Sequence, residues 1–142
     1  MRVLAIDFGE RRIGLAVSDE SGLLAVPVGV LPRRSDARAV EDVLAAARER
    51  EAGLLVVGLP LRPGGGGESP FAARARSFAR KLAAASKLKV ELHDEALTSA
   101  AAESALRAAG LSRERRSDAL DAEAAAELLR DWLSCRPPGA AP

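Results

Sequence analysis

The segment Leu54–Leu59 is the feature that most limits the fold of this chain. Its six residues, Leu-Leu-Val-Val-Gly-Leu, form an apolar run without polar alternation. Such a run is typical of a β-strand that is covered on both faces of a sheet. Because the run follows a helical pattern, we expect a right-handed crossover that brings it parallel to the N-terminal strand. The segment therefore predicts an α/β protein.

The helical pattern before this strand extends from Asp36 to about Glu51. Val40, Val43 and Ala47 recur on one helical face, as in a helix packed on a sheet. Asp36 is predicted to be the N-cap, and Gly53 is predicted to end the helix.

The first thirty residues predict three strands: Arg2–Asp7, Arg12–Ser18 and Leu23–Leu31. Turns at Gly9 and at residues 20–22 join them, and this spacing is typical of an antiparallel meander.

The rest of the chain predicts further helices and one more strand. The helices are expected at about Pro70–Ala85, from Thr98 or Ser99 to about Ala109, and at Ser117–Leu133, and the strand at Lys87–His93, ending at Asp94-Glu95. The order β-β-β-α-β-α-β-α-α matches a ribonuclease H-like fold, with a five-stranded mixed sheet flanked by helices. We expect one such domain over residues 1–135 and a disordered tail over residues 136–142.

Composition and charge limit where this protein can act and how it can bind nucleic acid. The net charge is only +1, so any nucleic-acid contact must come from a local basic patch. Cys135 is the single cysteine, which excludes an internal disulfide and favours a reducing compartment. We expect neither a signal segment nor a membrane span, and we predict a cytoplasmic protein. Cys135 is interpreted as incidental and the single histidine, His93, as a strand residue.

Acidic residues follow the predicted strands. Asp7 closes the first strand, Asp94 and Glu95 close the fifth, and sites in open sheets lie beyond the carboxyl ends of parallel strands. Asp118 and Asp121, three residues apart, share one face of the last helix. Taken alone, each acid also has a structural explanation: a turn for Asp7, a helix cap for Asp118, and a solvated surface for Asp121, which spacing alone favours over catalysis. The functional interpretation therefore depends on their joint placement.

Clustered carboxylates raise one another's pKa, and divalent cations relieve this repulsion. Two Mg²⁺ or Mn²⁺ ions would suit an in-line displacement at phosphorus, with one activating water and the other stabilising the leaving oxygen. We therefore predict a metal-dependent phosphodiesterase.

Two segments are candidates for nucleic-acid binding. Arg11 and Arg12 are candidate phosphate contacts beside the first acid. The run Gly64–Gly67 lacks the Gly-Lys-Ser/Thr ending of a P-loop. Gly64 and Gly65 are instead predicted to lie in a mobile loop that runs along a bound nucleic-acid strand.

Four motifs resemble the RuvX/YqgF family, relatives of the Holliday-junction resolvase RuvC. They are Asp7-Phe8-Gly9 with residues 12–19, residues 57–61, residues 94–99 and residues 121–129. The resemblance implies that Asp7, Glu95 and Asp121 are catalytic metal ligands, with Asp118 a further metal ligand. It also implies 5′-end processing of pre-16S ribosomal RNA, with four-way DNA junctions as the alternative substrate. Ala96 stands where the family usually has Arg.

Other functions stay open on the sequence alone. An actin-like or kinase fold shares the first motif but needs two such domains. A non-catalytic nucleic-acid-binding module of the same fold is a further alternative, which Ala96 mildly favours and the retained acids oppose. A symmetric junction substrate would favour a homodimer.

Overall fold

A computed structural model describes residues 1–60, 69–95 and 113–135. Its strands are β1 (Arg2–Phe8), β2 (Arg12–Ser18), β3 (Ala25–Pro32), β4 (Ala52–Pro60) and β5 (Lys89–Glu95), and its helices are α1 (Asp36–Glu49), α2 (Pro70–Ser86) and α3 (Arg113–Ser134). The helix predicted between residue 98 and Ala109 and the tail 136–142 lie outside the described residues.

The five strands form one mixed sheet in the order β3-β2-β1-β4-β5. β2 is antiparallel to both β1 and β3, whereas β4 is parallel to β1 and β5 is parallel to β4. The predicted antiparallel meander followed by two parallel strands is confirmed. Because β1 lies at the centre, its carboxyl end is bordered by strands on both sides.

Each face of the sheet has its own apolar core. One core lies under α1 and α2 and is built from residues such as Ile6, Phe8, Leu55, Val57, Phe78 and Leu82. The other lies under α3 and contains Val3, Ala5, Ala16, Leu54, Val56, Leu128, Leu129 and Trp132. Residues of β1 and β4 alternate between the two cores, which explains why the Leu54–Leu59 run is apolar throughout.

Several predicted boundaries were wrong by a few residues. The N-cap of α1 is Ser35, whose Oγ accepts a hydrogen bond from Arg38 N, and Asp36 is the first helical residue. The chain leaves α1 through Glu51, with φ of 56°, while Gly53 lies within β4. The last helix begins at Arg113, ahead of the predicted Ser117, and β5 includes Asp94 and Glu95 as its final residues.

The third strand also begins later than predicted, at Ala25, because Asp19 organises the preceding turn. Its Oδ1 accepts hydrogen bonds from the backbone N–H groups of Leu23 and Leu24, and its Oδ2 accepts one from the Ser21 hydroxyl. These hydrogen bonds lower the pKa of the Asp19 carboxyl, and the bond from Ser21 has the largest effect. Asp19, which belongs to the first motif, thus shapes a turn.

Among the helices of the described segments, none is long and apolar enough to cross a membrane.

Candidate active site

Asp7 lies next to the carboxyl end of the central strand, one residue before the end of β1 at Phe8. Its neighbours two and four residues earlier, Ala5 and Val3, belong to the core under α3. Since side chains alternate along a strand, Asp7 lies on the α3 face of the sheet. It is half-buried and has an interaction partner in the structure.

Gly14 brings α3 close to this position. It is the cross-strand partner of Asp7 in the β1–β2 ladder. A Cβ atom at position 14 would overlap the backbone carbonyl of Asp121, at a separation that real Cβ atoms do not reach. The helix therefore lies directly against the sheet here, and Asp121 is held beside the strand pair that carries Asp7.

Arg12 joins the two acids of α3 to the sheet. Its Nε lies 3.0 Å from Asp121 Oδ2, and its Nη1 donates a hydrogen bond of 3.0 Å to Asp118 Oδ1. The Asp118 side chain is 58% exposed, whereas that of Asp121 is 32% exposed. The two acids thus share one guanidinium, and Asp121 is the more enclosed of the pair.

The electrostatics of Asp121 follow from this enclosure. Burial raises the pKa of the Asp121 carboxyl above its ordinary value, Arg12 lowers that pKa, and Asp118 raises it again. The net shift is upward, so the ionised form of Asp121 is less stable here than in water. A further positive charge nearby, such as a bound cation, would therefore stabilise the ionised form of Asp121.

The last two positions of β5, 94 and 95, have opposite registers in the sheet. Asp94 pairs in register with Leu59, which belongs to the core under α1 and α2, so Asp94 lies on that face. His93 contacts Asp131 of α3 and lies on the opposite face. Position 95, two residues after His93 and paired with Pro60, has the register of the α3 face.

The predicted nucleic-acid contacts differ in their surroundings. Arg11 is exposed in the turn between β1 and β2, and its carbonyl accepts a hydrogen bond from Arg33 N. Arg33 stabilises this turn, since its guanidinium donates to Glu10 O and lies 4.8 Å from the Phe8 ring centroid. Gly64 and Gly65 lie outside the described residues.

Asp7, Asp118 and Asp121 offer the oxygen ligands that Mg²⁺ and Mn²⁺ prefer. In the described part of the chain these acids do not form a group of three ligand atoms within 4.8 Å; the group that does consists of His93, Asp131 and Cys135. The acidic residues therefore suit hard cations by chemistry, while Arg12 balances the charge of Asp118 and Asp121 in this conformation.

Sequence reasoning assigned no structural role to Gly14. A glycine inside an apolar strand indicates close approach of another backbone, and this signal was present between Ile13 and Leu15. The ion pairs of Arg12 with α3 join residues more than a hundred positions apart, and no local pattern reveals them.

Comparison with known proteins agrees with this architecture. A family model described as "RuvX: Holliday junction resolvase" matches residues 1–135. A relative from Anaeromyxobacter sp. (strain K), named "Putative pre-16S rRNA nuclease", is 47% identical over 97% of this chain and 100% of its own length. A relative of the same name from Chloroflexus aggregans is 39% identical over 94% of each chain.

Solved structures share the fold at low sequence identity. Thermus thermophilus RuvC in complex with a Holliday junction substrate is 18% identical, with a TM-score of 0.60 over 100% of this chain and 99% of that one. The fowlpox virus Holliday junction resolvase is 11% identical, with a TM-score of 0.55 over 96% of this chain and 100% of that one. The match to the family model and the identity to its relatives both span nearly the whole sequence, and this chain belongs to the RuvX family.

Proposed function

We propose that this protein is a divalent-metal-dependent nuclease that hydrolyses a phosphodiester bond in the 5′-end processing of pre-16S ribosomal RNA. The observation that carries the proposal is the placement of Asp7 beside α3. Asp7 lies next to the carboxyl end of the central strand, on the face covered by this helix, and its cross-strand partner Gly14 contacts the backbone of Asp121. Asp7 and Asp121, which are distant in the sequence, thus lie beside each other near the carboxyl end of the central strand.

The proposed metal ligands are Asp7, Glu95 and Asp121, with Asp118 as an outer member of the same group. Mg²⁺ or Mn²⁺ bound there would activate water and stabilise the leaving 3′ oxygen. Asp7 is fixed by the β1–β2 ladder, and Asp121 is fixed by the contact of its backbone with Gly14. This rigidity favours catalysis, since the ligands need little reorganisation when substrate binds.

Arg12 has two proposed roles at this site. Its ion pairs hold the carboxylates of Asp118 and Asp121 toward the sheet. Its side chain is also 38% exposed, so the guanidinium is accessible to a phosphate of the substrate. A guanidinium that changes partner from carboxylate to phosphate would couple substrate binding to release of the acids for cations.

The names of the relatives favour RNA as the substrate. Relatives with 39% and 47% identity are both named for a pre-16S rRNA nuclease. The description of the matching family favours the second candidate, cleavage of four-way DNA junctions. The junction-bound structures share only 10–18% identity with this chain and therefore support the fold alone.

A side-by-side cleavage assay separates the candidates. Purified protein is incubated with Mg²⁺ or Mn²⁺ and either a precursor 16S RNA fragment, a synthetic four-way DNA junction or an unstructured RNA of equal length. We expect a discrete cut near the mature 5′ end of the ribosomal RNA and little cleavage of the other two. Preferential junction cleavage would support the resolvase function, and binding without cleavage would support a non-catalytic module.

Two further properties belong to the proposal. Processing of ribosomal RNA implies a cytoplasmic location. A homodimer is expected if paired cuts are made and is not required for one RNA cut. The molar mass measured on the active protein, with and without each substrate, tests this point.

A further inference from the structure

The single histidine and the single cysteine of this chain lie together, although they are 42 positions apart in the sequence. His93 comes from β5, Asp131 from the last turns of α3, and Cys135 directly follows that helix. One ligand atom from each of the three side chains lies within 4.8 Å of the others. No other group of this kind occurs among the described residues.

The three side chains are held by well-packed elements. Trp132, next to Asp131 in the sequence, is 5% exposed and anchors this end of α3 in the core under the helix. The backbone N–H of Cys135 donates to the carbonyl of Asp131, which keeps the two side chains one helical turn apart on the same face. The side chain of His93 is only 17% exposed, and its Nε2 lies 2.6 Å from Asp131 Oδ2. The convergence is therefore a property of the fold.

We infer that His93, Asp131 and Cys135 form a binding site for one borderline transition-metal ion, with Zn²⁺ the best match. Zinc takes a thiolate, an imidazole nitrogen and a carboxylate oxygen in tetrahedral sites. A thiolate and a carboxylate together neutralise the charge of a divalent ion. The thiolate and imidazole disfavour Mg²⁺, which prefers oxygen ligands.

The geometry requires only a small adjustment. Two nitrogen or oxygen ligands of a tetrahedral zinc ion lie about 3.3 Å apart. The 2.6 Å contact between His93 and Asp131 must therefore open by less than 1 Å. The Asp131 side chain is 63% exposed and can make that movement. Because the chain has no other His or Cys, the fourth ligand is water or a carboxylate.

This site is separate from the acidic one. Asp131 lies ten residues beyond Asp121 on the same helix, which corresponds to about 15 Å along its axis. The inference therefore does not depend on the proposed nuclease activity. A metal here would join the end of α3 to the edge strand β5, the strand that also carries position 95.

Cobalt tests the site through its colour. Co²⁺ replaces Zn²⁺ in such sites, and its bond to a thiolate gives a near-ultraviolet charge-transfer band that carboxylate sites do not give. Titration of the reduced full-length protein should produce this band at one Co²⁺ per chain, and one equivalent of Zn²⁺ should abolish it. Cys135→Ser should lose the band. Glu123→Gln is the control. It removes a carboxylate of the same helix, one that lies 2.8 Å from the Arg130 guanidinium, and it should retain the band.

Calorimetry with Zn²⁺ supplies the second measurement. The wild type should bind one Zn²⁺ at this site, and Cys135→Ser and His93→Gln should each weaken that binding at least about tenfold. A hundredfold excess over Kd should raise the Tm of the wild type by about 5–10 °C. Asp7→Asn, at the acidic site, should leave the cobalt band and this Zn²⁺ affinity unchanged.

Three results would overturn the inference. They are no thiolate band in the wild type, equal Zn²⁺ affinity in the wild type and Cys135→Ser, and one metal ion per two chains with dimer formation. The first two would leave a hydrogen-bonded His93–Asp131 pair beside a free thiol, and the third would indicate a bridge between chains. Mg²⁺-supported cleavage by Cys135→Ser should equal that of the wild type, so failure here is distinguishable from failure of the proposed function.

Discussion

Gly14 and Asp121 are in contact through their backbones, because the missing side chain of Gly14 leaves room for the Asp121 carbonyl. This contact fixes the distance between α3 and the hairpin that carries Asp7. The position of the helix at this point therefore depends on one glycine in the middle of a strand.

Gly14→Ala should displace α3 and impair the site. A new Cβ would meet the Asp121 carbonyl, and backbone cannot move aside as a flexible side chain can. We expect a loss of about 1–3 kcal/mol in the free energy of unfolding, as for overpacked cores, and a loss of cleavage larger than that destabilisation explains. Urea denaturation and cleavage rates measure the two effects.

Gly53→Ala is the matched control for this change. The three atoms nearest to a Cβ at position 53 would all belong to the flexible side chain of Met1, which can move. The control should fold with near wild-type stability and cleave normally. Normal cleavage by Gly14→Ala would show that the close approach does not position the acids.

Asp118→Asn and Asp121→Asn should differ in severity. Asp121 is the more enclosed acid and lies where α3 contacts the hairpin, whereas more than half of the Asp118 side chain is exposed. We expect Asp121→Asn to lose orders of magnitude in cleavage rate and Asp118→Asn to lose about tenfold or less. Metal titration of each variant measures the defect, and equal or reversed defects would contradict the assignment.

The pKa of the Asp121 carboxyl should respond in opposite directions to its two neighbours. Arg12 lowers this pKa and Asp118 raises it, so Arg12→Gln should raise the pKa further and Asp118→Asn should lower it. Carboxyl-carbon NMR titration of the metal-free protein measures both shifts. Shifts of the same sign in both variants would contradict the ion-pair geometry.

This shift also has a consequence for stability. The folded-state pKa of Asp121 lies above its unfolded value of about 3.9, so ionisation of this carboxyl destabilises the fold. The destabilisation is absent below the unfolded value and fully present above the folded one. Asp121→Asn should therefore remove this pH dependence of the free energy of unfolding, while it also abolishes activity. Denaturation curves of the wild type and the variant, measured from below the unfolded pKa to above the folded pKa, test this difference.

Much of the fold follows from local sequence patterns. The apolar run before Pro60 and the alternation of helices and strands predicted the parallel part of the sheet, since these patterns depend on burial of each element. Boundaries were less predictable. The chain reverses at Glu51 with a positive φ, although Gly53 was nearby, because β4 has already begun at Ala52 and position 53 lies within that strand.

The candidate site was predictable only as far as strand ends reveal it. Asp7 at the end of an apolar strand is a local signal, and its place on the α3 face follows from alternation. The shared ion pairs of Arg12 and the convergence of His93 with Cys135 depend on how α3 packs across the sheet. Sequence spacing contains no information on that packing, which explains why Cys135 was interpreted as incidental and His93 as a strand residue.

The most direct test of the proposed function compares Asp7→Asn with Asp94→Asn in the cleavage of precursor 16S RNA. Both changes remove one carboxylate near a carboxyl strand end, but Asp7 lies on the α3 face and Asp94 on the opposite one. We predict that Asp7→Asn loses orders of magnitude in metal-dependent cleavage while it folds and binds RNA normally, and that Asp94→Asn cleaves at nearly the wild-type rate. Near wild-type cleavage by a folded Asp7→Asn protein would contradict the central claim.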